Sequence, residues 1–338
     1  MDAKELPPFP VPPLTLAVSE CLTGAPVRYD GRDKREAMPH AALDDLYVFL
    51  PICPEVGIGL GVPRDPIRLV GDPGSPRARS FGEEASISRP GTDVTDALRA
   101  FADRQLRVLD DVDGYVFMQR SPSCGLSGVS VFGSDAPDTG RGVYAVRVSD
   151  RRPVLPVIEG AALFDPTRCA SFVMRTFVYA HWRRTSVAGM TAARLVAFHT
   201  AYKYLVMAHD VQAYRRLGHL VSDLSGNLDD VAGRYVRELL GAVSGPASRT
   251  GHANAMAHLQ GYVSRSVGAT GELASLIESY RRGGVPLSEP MSLLRRHLQK
   301  SGATYALNQA YLRSDLWSVI SRAYNSVRTS GHIRATDL

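Results

Sequence analysis

Apolar residues follow two rhythms along this chain. In the first part they come in short unbroken runs at residues 14–19 (Leu-Thr-Leu-Ala-Val-Ser), 46–52 (Leu-Tyr-Val-Phe-Leu-Pro-Ile) and 114–118 (Gly-Tyr-Val-Phe-Met). Runs of that length without polar alternation predict strands of a parallel sheet covered on both faces. Val154 to Ile158 predicts a last strand. Between them, Val94, Leu98, Phe101, Leu106 and Leu109 predict an amphipathic helix over 92–110, with Thr92 or Asp93 as its cap. Strands alternating with helices define an open, Rossmann-like, mostly parallel α/β sheet.

From about residue 166 the spacing turns helical. Helices are expected at 166–182, 189–208, 211–222, 227–242, 252–265, 270–282 and 290–312, with Gly/Ser/Pro-rich breaks at 241–251 and 283–286. No strand candidate and no fixed repeat occurs in this part. The organisation read from the pattern is a disordered lead-in (1–13), an α/β domain (14–165), a linking helix (166–188) and an all-α domain (189–338).

Composition narrows the class. The chain has 338 residues, 44% hydrophobic and 22% charged, which suits two globular domains. It offers no apolar run of about 18 residues, so no membrane span is expected. The N-terminus lacks an apolar signal core, and a cytoplasmic location is expected. Charge is divided unevenly. Residues 1–180 carry −4 and residues 181–338 carry +9, giving the net +5. A basic module suggests either a polyanionic partner or a solvated helical surface.

Four cysteines are too few for a disulfide framework in a chain this long. Three of them, Cys21, Cys53 and Cys124, each stand just past the carboxyl end of a predicted strand. That rim is where open α/β sheets bind ligands. Thiolates suit iron–sulfur clusters and zinc, and three of them leave one metal position open for chemistry. Spacings of 32 and 71 residues carry no local motif, so buried structural thiols remain the alternative at this point.

Several separated segments carry a resemblance. They are Ser19-Glu20-Cys21-Leu22-Thr23-Gly24, Val27-Arg28-Tyr29-Asp30-Gly31, Cys53-Pro54-Glu55-Val56-Gly57, Gly59-Leu60-Gly61-Val62-Pro63-Arg64, Pro66-Ile67-Arg68-Leu69 and Ser121-Pro122-Ser123-Cys124-Gly125. Over residues 13–160 the chain resembles the thiouracil desulfidase family. The remainder, with Leu195 to Leu205, Met207 to Asp210, His258 to Tyr262 and Leu293 to Leu298, is similar to the helical domain often fused to it. The whole resembles tRNA 4-thiouridine desulfidases, whose helical domain is thought to bind RNA. Glu20 departs from the small residues more usual before the first cysteine, and the segment from Tyr311 to Trp317 lacks a Pro-rich ending.

The resemblance implies a [4Fe–4S] cluster held by Cys21, Cys53 and Cys124 with one open iron. It implies Glu55 and Ser121 as catalytic residues. The implied reaction is hydrolytic, non-redox C–S cleavage turning 4-thiouridine, in tRNA, into uridine with release of hydrosulfide. Free thiolated bases or nucleosides are the alternative substrates, and a non-enzymatic iron–sulfur RNA-binding sensor is the alternative class.

Other residues are read both ways. Arg64 and Arg68 can bind a substrate phosphate or pair with acids, and Glu55 can pair with Arg28 or Arg64. Ser123 can donate to a cluster sulfur or satisfy its own turn. His199 and Lys203 share a helix face that can touch RNA or join a helix–helix network. Arg215 and Arg216 form a basic pair fit for phosphates. Cys169, among Phe164, Phe172 and Val173, is expected to be a buried thiol rather than a fourth ligand.

Overall fold

The computed structural model describes residues 5–82, 91–133, 138–263 and 270–334. The chain divides into two compact units, one of residues 11–172 with the segment from 322 onward, the other of residues 1–10 with 173–321.

The α/β unit holds the expected parallel sheet. Its strands are β1 (Leu14–Ser19), β2 (Tyr47–Ile52), β5 (Gly114–Phe117) and β8 (Val157–Glu159), in the order β2-β1-β5-β8, all parallel. β5 is buried along its whole length, and Leu14, Leu16, Ala17 and Val18 bury β1. This explains the unbroken apolar runs of β1 and β5, since both faces of these strands lie out of water; β2, at the sheet edge, leaves Val48 exposed.

A second sheet was not foreseen. Strands β3 (Ile67–Val70), β4 (Arg77–Ser80), β6 (Val129–Phe132) and β7 (Asp138–Gly140) pair in the order β4-β3-β6-β7. Only β3 and β6 run parallel; the outer pairs are antiparallel. Its inner face joins Ile67, Leu69, Ala78, Val129 and Val131 to Val94, Leu98 and Val143. The last three approach from helices α2 (Thr95–Gln105) and α3 (Val143–Arg151) and from the turn before α2. Asp93 accepts the Thr95 N–H at 3.0 Å but is not the cap; Val94 holds that position.

Residue 166 opens α4 (Pro166–Val187). After it follow α5 (Ala192–His209), α6 (Val211–Ser222), α7 (Leu228–Ala242), α8 (Arg249–Gln260), α9 (Thr270–Arg281), α10 (Ser288–Lys300) and α11 (Thr304–Leu307) in the helical unit, and α12 (Ser314–Arg334), whose residues from 322 onward belong with the α/β unit. Thr191, Asp210, Asn227 and Ser248 cap α5 to α8 with their side-chain oxygens. The Ser248 cap starts α8 three residues before the expected 252. Residues 264–265 of that expected helix, like residues 1–4 of the lead-in, lie outside the described residues.

The expected 290–312 helix is broken. Gly302 takes φ +62° after α10, and Ala303 N–H reaches back to Leu298 C=O at 3.0 Å. This is the αL closure that glycine permits and that ends a helix.

The lead-in is also different from expectation. His181 Nε2 meets the Pro7 carbonyl at 3.0 Å, the Phe9 ring lies edge-on to His181, and Arg313 stacks on Phe9 at 4.4 Å. Residues 5–10 therefore form a strap on the helical unit. The contacts come from the Pro7 carbonyl and the Phe9 ring. Among the described residues no helix is long and apolar enough to cross a membrane.

Candidate metal centre

Three strand ends deliver the three cysteines. After β1 the chain enters a single 3₁₀ turn, Glu20–Thr23, closed by Gly24 at φ +98°. Cys21 sits in that turn, and its carbonyl accepts the Lys34 N–H at 2.7 Å. After β2, Cys53 is the N-cap of the one-turn α1 (Pro54–Gly57), with Pro54 at the first helical position, where no N–H is needed. After β5 comes the loop of Ser121 to Gly125. Ser121 Oγ accepts the N–H groups of Ser123 (3.2 Å) and Cys124 (3.0 Å), which fixes the loop. α3 completes it, because Val143 and Ala145 donate their otherwise unpaired N–H groups to the carbonyls of Pro122 and Ser123.

All three cysteines line one pocket of about 770 Å³, with Arg28, Glu55, Arg64, Arg120 and Ser121. Cys169 stands apart, fully buried on α4. Burial raises the pKa of every thiol. Cys21 is pushed up to about 12, first by burial and then by Cys53, with Arg28 opposing. Cys53 and Cys124 move the same way for the same first reason. Ser19 hydrogen-bonds to Cys124, and its Oγ takes the Met118 N–H at 3.0 Å, tying β1 to the end of β5.

Glu55 is clamped from two sides. Arg64 donates Nε (3.0 Å) and Nη2 (2.6 Å) to Oε2, and Ser123 Oγ donates to Oε1 at 2.9 Å. Arg64 also donates to the carbonyls of Val27 and Gly61. Of the two readings of Arg64, the structure gives the acid partner, and four of its five N–H donors are taken. Ser123 serves neither its own turn nor a sulfur; its hydroxyl orients Glu55. Ser121 keeps its hydroxyl hydrogen, since both its bonds are accepted ones. Arg68 is exposed on β3, stacked over Phe81 and Phe132, beside a smaller depression next to the pocket.

The helical candidates disperse. His199 packs edge-on to Tyr235, with Nδ1 3.4 Å from its hydroxyl, and burial lowers its pKa to about 4. Lys203 covers the rings of Tyr204 and Tyr305. Both belong to the helix–helix network. Arg216 is tied to Glu238 and Asp210. Arg215 is exposed on α6.

Three site residues went unread. Ser19 and Arg120, the latter at φ +55° on the pocket wall, carried no pattern of their own. Gly142 matters through what it lacks: a Cβ there would stand 2.6 Å from the Ser123 carbonyl and 2.8 Å from Cys124 N. Gly142→Ala is expected to displace the Cys124 loop at a cost of about 1–3 kcal/mol. A thermal melt measures it, and an unchanged midpoint would count against this packing role.

Fold and rim together define an α/β protein with a thiol-lined ligand pocket at the carboxyl ends of its strands. Comparison places it more closely. Residues 16–160 match the family model described as 2-thiouracil desulfurase, and residues 203–314 match that of DUF1722, a protein of unknown function. The uncharacterized protein YbgA of Escherichia coli (strain K12) is 32% identical over 151 residues, covering 44% of this chain and 88% of that protein. The uncharacterized protein YbbK of Bacillus subtilis (strain 168) is 29% identical over 134 residues, 38% of this chain and 86% of that protein. Among solved structures, the [4Fe–4S]-dependent thiouracil desulfidase TudS is 26% identical with a TM-score of 0.30, covering 43% of this chain and 90% of that one. The chain belongs to the 2-thiouracil desulfurase family, with a DUF1722 region following the family domain.

Proposed function

We propose that this protein is an iron–sulfur-dependent desulfidase that hydrolyses the thiocarbonyl of 4-thiouridine within tRNA. The observation that carries the reading is one pocket holding three thiols beside a carboxyl group clamped by Arg64 and Ser123. Among the described residues no three His, Cys, Asp or Glu side chains converge tightly enough for a single metal ion. A cluster asks for something else, because each thiolate bonds its own iron and the ligands stand around a body. Thiols on three separate strand ends around one pocket fit that demand, with Cys21, Cys53 and Cys124 as ligands.

A [4Fe–4S] cluster held by Cys21, Cys53 and Cys124 would supply Lewis acidity to a thiocarbonyl sulfur and so make the ring carbon electrophilic. Glu55 takes a proton from the attacking water, and its fixed carboxyl plane aims that water. Ser121 donates its free hydroxyl hydrogen to a ring acceptor. The balance is thiocarbonyl plus water to carbonyl plus hydrogen sulfide, with no change of oxidation state. The +9 charge of residues 181–338 favours a polyanionic substrate over a free base.

The test is anaerobic reconstitution followed by loss of the near-ultraviolet absorbance of 4-thiouridine, comparing thiolated tRNA with free nucleoside. Cluster-loaded protein that leaves both unchanged defeats the reading; turnover of the nucleoside alone moves the substrate to the free form. Alanine at Cys21, Cys53 or Cys124 is expected to abolish iron binding, whereas Cys169→Ala keeps iron and activity. The full chain is the right material, since the strap at residues 5–10 belongs to the helical unit.

A further inference from the structure

A second cleft, of about 980 Å³, lies wholly within the helical unit. Its walls are the end of α5, the start of α6, the last turns of α7 and the first turn of α8. Arg216, Arg234 and Arg237 face two carboxylates there, Asp210 and Glu238. Both carboxylates are tied to Arg216, and Asp210 also caps α6 through the N–H groups of Gln212 and Ala213. Arg234 and Arg237, three apart on one face of α7, are exposed and have no ion-pair partner among the described residues.

The opposite wall presents donors too. α8 begins in the cleft at Ser248, and only Gly251 N–H in its first turn is taken, by Ser248 Oγ at 2.9 Å. The N–H groups of Arg249 and Thr250 find no acceptor among the described residues. Gly251 lets this turn press against α5, since a Cβ would stand 2.0 Å from the Ala208 carbonyl. At the α5 end, His209 has Nδ1 2.8 Å from the Gly245 carbonyl, which makes Nδ1 the donor. Its Nε2 is then a buried acceptor without a partner.

We propose that this cleft binds a phosphorylated ligand. Arg234, Arg237 and the start of α8 hold the phosphate, and a donor group of the same ligand reaches His209 Nε2. Two unpaired guanidinium groups facing free helix N–H groups form an anion cradle. A phosphate at one end and an N–H or O–H donor at the other is the chemistry of a nucleotide, free or as one residue of a strand. The site is separate from the thiol pocket, and the proposal stands without the desulfurase reading.

The test uses cluster-free full-length protein, titrated with inorganic phosphate, adenosine 5′-monophosphate and a single-stranded oligoadenylate. Saturable binding is expected, weakened at least tenfold by the double substitution Arg234→Gln/Arg237→Gln. Arg107→Gln, an exposed change on the α/β unit, is expected to leave it within twofold. If the source is a strand, only the oligonucleotide binds tightly, and the double variant flattens its salt dependence by about two phosphate contacts. If the source is a small molecule, the mononucleotide binds comparably. His209→Leu should weaken the nucleotide while sparing inorganic phosphate. Binding by none of the three probes, or binding indifferent to the double variant while the melt is unchanged, overturns the proposal.

Discussion

Replacing Glu55 by glutamine is expected to lower turnover of a thiolated uridine by about two to four orders of magnitude, the range for removing a positioned acid–base group. Iron and sulfide content should stay at the level of the parent protein, because all three thiols remain. Glutamine preserves size and an oxygen for the Ser123 hydroxyl. What it removes is the negative partner of Arg64, whose side chain is only 7% exposed. Breaking a fully buried ion pair costs about 3–5 kcal/mol. Here Arg64 keeps the carbonyls of Val27 and Gly61, so the loss falls at or below the lower end. A domain with a typical margin of about 5–15 kcal/mol stays folded after that loss. Turnover within tenfold of the parent would remove Glu55 from the chemistry and leave it as the partner of Arg64. Low turnover together with lost iron would instead mean that Glu55 supports the thiol loops.

The second large effect concerns acid. The helical unit is expected to unfold as pH falls between about 6.5 and 4, ahead of ordinary carboxylate titration. His181 is lowered to about 4 by burial, opposed by the Pro7 carbonyl and helped by Arg313 and Arg184. His252 is lowered to about 3, again by burial first and by His209 second. Both are depressed in the folded state, so their neutral forms contribute fully above pH 6.5. That contribution is lost as pH falls through the folded values, where the unfolded chain binds more protons. Each shift corresponds to roughly 3 kcal/mol or more, and two together approach the margin of a typical domain. His199 shifts in the same direction.

The reporters are already in place. Both tryptophans of the chain lie in this unit, Trp182 stacked on Tyr235 and Trp317 edge-on to His252 and Tyr311. Their emission should shift to the red through that window. His181→Gln, which removes one titrating ring, should carry the midpoint to lower pH. Emission flat down to pH 3 would contradict the account.

What could be read beforehand divides along physical lines. The central strands were visible because burial on both faces writes unbroken apolar runs, and β5, buried at every residue, is the extreme instance. The second sheet was hidden. Ile67-Arg68-Leu69-Val70 and Arg77-Ala78-Arg79-Ser80 are four residues each and half solvated, too short to show a period. The three cysteines stood out by their place after strands, yet their neighbours did not. Ser123 looked like part of a turn, although its hydroxyl crosses 68 residues of chain to Glu55. Arg64 could be read toward phosphate or acid because a guanidinium does not announce its partner. In the helical part, basic pairs drew attention to Arg216. Among the described residues of the second cleft, the cations without an ion-pair partner proved to be Arg234 and Arg237, set apart only by where the carboxylates fall in three dimensions.

The strap at residues 5–10 has a consequence for how the molecule is made. Residues 5–10 belong with residues 173–321, and the last described helix runs on into the α/β unit, where Arg322 lies 3.9 Å from Asp45. Each unit thus waits for a distant part of the chain before its contacts are complete. A truncation that begins at the first strand would strip His181 of the Pro7 carbonyl and Tyr202 of the Phe9 ring, damaging a unit whose main body starts more than 150 residues later.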